Sequence, residues 1–389
     1  MKRLVVCCDG TWNKPDNETI TNVEKVARTV QTNSGATGGV QQLVYYTSGV
    51  GAGGYKLDKL LGGAFGFGLL RNVIACYRFL AQNYEPGDQI FIFGFSRGAY
   101  TARSVAGWIG RVGLLTKESL VDEKLPAAVA LYRRETLPYG DFGESVAEFR
   151  RDHCHPAKID FLGVFDTVGA LGVPGFSVKA PKFHDVQLSS QVVCARQALA
   201  IDETRLKFAP ALWEVPPPDP QHPITPPAPT NDARVKQVWF EGCHSDIGGG
   251  YQQTGLSDTV LHWMATEAHT SGLVFDTPLL GHYLHSGEDP YRHNPLNRMY
   301  KIDNLLLRAK MALGKGTPGA FIDGRRRLSN ERAVSVRVAS SAVTHFHEGD
   351  YQPVNLVRFA QESNDFATTV EPVVALPQDG LDIDDLGKP

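Results

Sequence analysis

The sequence predicts an α/β fold: a mostly parallel sheet with helices on both faces and long insertions forming a cap. Three observations carry this. Leu4-Val5-Val6-Cys7-Cys8 and Ile90-Phe91-Ile92-Phe93 are apolar at successive positions, the pattern of strands covered on both faces. Segments with helical periodicity alternate with such runs, which gives the α/β class with right-handed crossovers. Two later runs, Ile159–Phe165 and Val235–Phe240, end at Asp166 and just before Gly242-Cys243-His244, so chemistry-bearing residues recur at strand ends.

Taken in order, the first strand covers Leu4–Cys8 and ends at Asp9-Gly10, followed by turn residues through Asn17. Thr21–Gln31 reads as a helix with Val23, Val26, Ala27 and Val30 on one face. Gln42–Tyr46 is the second strand, and a glycine-rich stretch runs from Gly49 to Gly68. A helix spans about Leu69–Asn83. The turn Pro86-Gly87-Asp88 feeds the strand Gln89–Phe93, and a helix runs from Arg97 to about Ile109. Beyond the strands at 159–165 and 235–240, a helix follows Asp258 to about Ser271, and Val334–Val338 alternates as a late strand. The reading is one domain over 1–375, with cap insertions at about 116–157, 170–232 and 276–332, and a flexible tail at 376–389.

The 389 residues are 42% hydrophobic and 21% charged, with a net charge of −3. That is ordinary globular composition without the basic face that nucleic-acid binding wants. Six cysteines occur without a CxxC pair, which points to reduced thiols and a cytoplasmic protein. Met1-Lys2-Arg3 is followed by only five apolar residues, too few for a signal-peptide core. No apolar run reaches the ~18 residues of a spanning helix, and no long amphipathic helix stands out as an interfacial anchor.

Gly94-Phe95-Ser96-Arg97-Gly98 fits G-x-S-x-G in the right context, a buried strand before it and a helix after it. A sharp strand-to-helix turn crowds the backbone, and Gly94 and Gly98 relieve it. Ser96 is therefore the candidate nucleophile in an α/β-hydrolase-like arrangement. The Arg97 amide, at a helix N-terminus, is the first oxyanion donor, and the amide of Gly10 or Thr11 the second.

A serine hydroxyl needs a histidine to take its proton and a carboxylate behind that histidine. In the order Ser, acid, His, Asp166 at the end of the strand after the nucleophile strand is the acid, and His244, which follows another strand end in the glycine-rich His244-Ser245-Asp246-Ile247-Gly248-Gly249-Gly250-Tyr251, is the first choice for the base. His345 and His347 are the second choice for the base. Asp246 orients the site or binds its loop, and Asp202 reads as a salt-bridged helix residue. Two alternatives stay open: Asp9, His244 and Asp246 gathering a divalent ion for metal-assisted hydrolysis, and a non-catalytic binding protein with a vestigial site. His153-Cys154-His155, His282, His285 and His293 read as surface or cap residues, and no cofactor is expected.

Taken together, Cys8-Asp9-Gly10-Thr11-Trp12-Asn13, Tyr46 with Gly49-Val50-Gly51, Gly94–Arg103, Phe165-Asp166-Thr167-Val168-Gly169, Ala198–Arg205 and His244–Tyr251 resemble an α/β-hydrolase family. It was first catalogued as a domain of unknown function and includes type VI secretion phospholipase effectors. The resemblance implies a Ser-Asp-His triad on Ser96, Asp166 and His244. For the effector branch it also implies phospholipase activity; the expectation is an ester or lipid substrate, with peripheral membrane contact and export by a dedicated secretion system open to the chain.

Overall fold

Lys2–Cys8 (β1) shows why the sheet is covered twice. Leu4, Val6 and Cys8 enter one apolar cluster, and Val5 and Cys7 the other, as the two-residue period of a strand dictates. The computed structural model describes residues 1–10, 19–49, 64–133, 141–168, 188–215, 231–285, 291–296, 298–312, 320–363 and 365–374. After β1 come Asn22–Thr29 (α1), Gln41–Thr47 (β2), Ala64–Asn83 (α2), Gln89–Phe95 (β3) and Arg97–Val112 (α3). Leu114–Leu115 (β4), Lys117–Val121 (α4), Leu125–Arg133 (α5), Asp141–His153 (α6) and Cys154–His155 (β5) follow. Phe161–Phe165 (β6), Ala195–Ala200 (β7) and Val235–Phe240 (β8) then return to the main sheet. The remainder is His244–Gly248 (α7), Gly255–Thr270 (α8), Thr277–His282 (α9), Arg298–Ala312 (α10), Phe321–Ile322 (β9), Arg325–Arg326 (β10), Val336–Ala339 (β11), Ser340–Glu348 (α11), Val354–Glu362 (α12) and Val370–Glu371 (β12).

The eight-stranded sheet has the order β12-β11-β8-β7-β6-β3-β1-β2. Among the described residues every pairing in it is parallel. The chain passes from β1 outward to β2 and then back to β3 on the other side of β1. That reversal opens a crevice at the carboxyl ends of β1 and β3, where open α/β sheets place their ligands. Register puts Cys8 beside Gly94 and Phe95 beside Phe165. The residues that follow these strands, Asp9, Ser96 and Asp166, thus emerge at one edge.

On one face α2 and α3 bury Val73, Tyr77, Leu80, Val105 and Trp108 against Leu4, Val6, Ile90 and Ile92. On the other, α1 and α8 bring Val23, Val26, Leu261 and Met264 onto Val5, Phe91, Phe93 and Phe161. A third cluster joins Leu199, Trp239 and Val338 of the sheet to Leu328, Ala342 and Leu356 from the C-terminal segments.

The three segments read as cap insertions pack in different ways. The described part of the insertion at 116–157 braces the far end of α3: Trp108 stacks on Tyr132 at 5.1 Å, and Arg150 Nη1 donates to the Gly110 carbonyl at 2.6 Å. Within 170–232 lies β7, a central strand. Its sequence, Ala-Arg-Gln-Ala-Leu-Ala, lacks the β-branched and aromatic residues by which a strand is read. Its Arg196 and Gln197 are nevertheless buried, satisfied by Glu267 at 2.5 Å and by Thr167 and Gln237. In the 276–332 segment, α9 packs beside α1, α10 packs Tyr300 on Phe208, and the β9–β10 hairpin carries Arg326 to Asp166.

No described helix is long and apolar enough to cross a membrane. All six cysteines are free thiols. The tail at 376–389 and most of the glycine-rich stretch, with Leu60 and Leu61, lie outside the described residues.

Candidate active site

Ser96 stands between β3 and α3 with φ 57° and ψ −118°, a left-handed conformation that costs a non-glycine residue energy. Its amide donates to the Phe165 carbonyl at 3.0 Å, which pins the turn to the neighbouring strand end. The crowding anticipated at the two glycines is severe. A Cβ on Gly98 would come within 2.0 Å of the Cys8 carbonyl oxygen, and one on Gly94 within 2.6 Å of the Gly98 carbonyl oxygen. The sharp turn therefore holds only with glycine at both places.

Asp166 follows β6, also at positive φ (41°). Its amide donates to the Ala198 carbonyl at 2.7 Å and its Oδ1 accepts the Ala200 amide at 3.0 Å, so β7 fixes the carboxylate from one side. His244 opens α7 after β8. The imidazole spans the gap: Nε2 lies 2.8 Å from Ser96 Oγ and Nδ1 lies 2.5 Å from Asp166 Oδ2. Phe95 and Phe208 flank the ring, with centroids 4.7 and 4.9 Å away. Ser96 and His244 are each 6% exposed and Asp166 is fully buried. The structure thus brings together Ser96, Asp166 and His244, the first choices of the sequence analysis.

The electrostatics turn on a residue that the sequence reading missed. Arg326, from the β9–β10 hairpin and fully buried, grips both oxygens of Asp166: Nη1 to Oδ1 at 2.6 Å and Nη2 to Oδ2 at 3.0 Å. The same guanidinium donates to the Phe208 carbonyl from Nη2 at 2.7 Å and from Nε at 3.1 Å, and to the Ala200 carbonyl from Nη1 at 3.1 Å. Burial alone would raise the Asp166 carboxyl, but the Arg326 charge and the His244 hydrogen bond outweigh it and hold the group well below the usual carboxylate range. For His244 burial wins, and the imidazole is pushed below its ordinary value despite the Asp166 carboxylate acting in the opposite sense. A second pair lies alongside. Glu203 accepts the His244 amide at 3.3 Å and is gripped by Arg205, whose guanidinium rests 4.0 Å from the Phe208 ring centroid.

The other candidates have different employment. Asp9 Oδ2 accepts Thr21 and Tyr46 hydroxyls, each at 2.7 Å, and Oδ1 takes the Gly10 amide at 2.6 Å. The Gly10 amide, a candidate oxyanion donor, is therefore turned onto Asp9, and Thr11 lies outside the described residues. The Arg97 amide sits at the first residue of α3, where the helix N-terminus favours negative charge. Asp246 binds the loop: its Oδ2 takes the Cys243 amide at 2.8 Å and its Oδ1 holds His293 Nδ1 at 2.6 Å. His345 and His347 are set aside as the base. Both are on α11, and His345 Nδ1 pairs with Glu241 at 2.9 Å. Asp202 is not helical; it lies in the bend after β7, accepting the Gly242 amide and the Tyr351 hydroxyl, each at 2.8 Å. Among the described residues no three His, Cys, Asp or Glu side chains converge as a metal-ligand set.

A family model described as the type VI secretion system phospholipase effector Tle1-like catalytic domain matches residues 2–267, more than half of the chain. The chain belongs to this Tle1-like family. An uncharacterised protein of Saccharomyces cerevisiae is 32% identical over 229 residues, covering 53% of this chain and 32% of the yeast protein, so the matched part is about a third of that relative. Among solved structures, an uncharacterised Pseudomonas aeruginosa protein is 17% identical with a TM-score of 0.40, covering 71% of this chain and 46% of that one. The Tle1 effector bound to the VgrG spike of the type 6 secretion system is 14% identical with a TM-score of 0.39, covering 83% and 81%. The Tle1-like match ends at residue 267, so Arg326, which grips Asp166, comes from outside it.

Proposed function

We propose that this chain is a serine ester hydrolase that cleaves the carboxylic esters of phospholipids through an acyl-enzyme. The observation that carries the reading is the unbroken hydrogen-bond relay from Ser96 Oγ through His244 to Asp166 at the carboxyl edge of the sheet. Membership of a phospholipase effector family supports the lipid ester as substrate class and export by a type VI system as the route of delivery.

The geometry supports the following steps. Ser96 Oγ attacks the ester carbonyl carbon as its proton passes to His244 Nε2. Asp166 steadies the imidazolium through Nδ1 and stays ionised itself. The carbonyl oxygen, now an oxyanion, is stabilised by the N-terminus of α3 beginning with the Arg97 amide. Collapse of the tetrahedral adduct breaks the ester bond, and the departing alkoxide takes the His244 proton to leave as lysolipid alcohol. Water then gives its proton to His244 and attacks the acyl-serine, and collapse releases the fatty acid and restores Ser96.

His244 must be neutral to accept the proton, and its pKa lies below the ordinary 6.5. The expected result is that kcat/KM on short-chain nitrophenyl esters and on dispersed phosphatidylglycerol loses activity on the acid side with an inflection below pH 6.5. A panel of these substrates read from acid to neutral pH tests both points. No turnover of any carboxylic ester by the folded chain, or an acid limb above pH 6.5, speaks against this reading.

A further inference from the structure

We propose that α10 docks its outer face onto the surface of a phospholipid bilayer, setting the active site at the lipid–water boundary; the inference rests on the ester-hydrolase reading above. At about 100° per residue, Ile302, Leu305, Leu306 and Ala309 share one side of α10. That side faces solvent: Ile302 is 61% exposed, Leu305 68% and Leu306 57%. Among the described residues, the other exposed large apolar side chains, such as Val121, Leu279 and Val354, stand singly on separate elements. A concentrated apolar stripe is the unusual feature, not exposed leucine in general.

The charges beside the stripe indicate what covers it. Lys301 and Arg308 lie exposed along one margin. The acid of the helix, Asp303, is neutralised by Lys207 at 2.7 Å. Aliphatic side chains flanked by long cationic ones, whose stems lie along apolar surface while their heads reach outward, suit the boundary between acyl chains and anionic headgroups. Cores of protein interfaces are depleted in lysine.

The inner face ties the helix to the catalytic residues. Tyr300 packs on Phe208 with ring centroids 6.1 Å apart, and Phe208 packs on His244 at 4.9 Å. Asn304 Oδ1 accepts the Leu206 amide and its Nδ2 donates to the Thr204 carbonyl, each at 2.9 Å. A bilayer contacted by the outer face therefore lies one helix thickness from the loop over the triad.

The test is cosedimentation with vesicles of phosphatidylcholine and phosphatidylglycerol in equal parts, using the Ser96→Ala chain so that no lipid is consumed. Adding Ile302→Ser, Leu305→Ser and Leu306→Ser lowers partitioning at least about tenfold, since three exposed aliphatic side chains lose their burial in lipid. Lys301→Glu with Arg308→Glu weakens binding to these vesicles more than to pure phosphatidylcholine. With Ser96 intact, the triple-serine chain keeps turnover of a water-soluble short ester within about twofold, as surface changes do, and loses vesicle hydrolysis in step with binding. Unchanged partitioning of the triple variant overturns the proposal. So does a parent that dimerises and becomes monomeric in the triple variant with vesicle binding intact, which makes α10 a self-association face. Vesicle binding lost in the triple variant, with no ester turned over by the chain that keeps Ser96, upholds the docking and counts against the hydrolase reading.

Discussion

Ser96→Ala lowers kcat for ester hydrolysis by roughly 10⁴-fold or more and leaves the fold intact. The magnitude follows from what the hydroxyl does: without it there is no acyl-enzyme, and what remains is substrate binding plus whatever the oxyanion donors contribute to attack by water. Alanine keeps the backbone of the turn, since the strain at φ 57° belongs to any residue with a Cβ. The loss of the Nε2 contact at 2.8 Å leaves His244 tied to Asp166 and flanked by Phe95 and Phe208, so its position is retained. Melting curves close to wild type alongside abolished turnover are the expected pair of readings. Residual activity within tenfold of wild type contradicts the role given to Ser96.

The second large effect is on stability. Arg326→Met removes one half of a fully buried ion pair and leaves the Asp166 carboxylate without its two charge-assisted bonds. Breaking a buried pair by removing one partner costs about 3–5 kcal/mol, because the stranded charge pays its desolvation alone. The Phe208 and Ala200 carbonyls lose their donor as well, which loosens the segment covering His244. Denaturant unfolding measures this directly. A kinetic consequence goes with it. Arg326 neutralises the negative charge that would otherwise favour imidazolium, so its loss raises the pKa of His244 and moves the acid limb of kcat/KM upward. Arg326→Lys keeps a charge but loses the planar two-point grip and falls between the two. A Met variant as stable as wild type shows that the pair carries little of the fold.

What was legible in the sequence was what has a local signature. The buried strands announce themselves as apolar runs, and the turn around Ser96 by two glycines at fixed spacing. Asp166 and His244 could be picked because Asp166 directly follows one strand and His244 comes four residues after another, both at the same edge of the sheet. Other features lacked such a sign. The strand β7 is three alanines and a leucine with an arginine and a glutamine, and it is a strand because Gln197 and Arg196 find buried partners far along the chain. Arg326 lies 160 residues from the aspartate it holds, on a two-residue strand with no periodicity. Glu203 and Arg205 sat in a motif that could be matched but not interpreted until Phe208 and His244 were placed around them. The leucines of α10 read as part of a cap, because only the packing of Tyr300 and Asn304 decides which face of the helix is turned outward.

Fluorophosphonate labelling followed by peptide mass mapping tests the mechanism most directly, because the reagent's phosphorus takes the place of the attacked carbonyl carbon. The folded chain is expected to take up one equivalent, with the adduct on Ser96 and turnover lost in proportion to labelling. A folded, active chain that takes no adduct, or one whose activity disappears with the label on a different residue, contradicts the role assigned to the Ser96–His244–Asp166 relay.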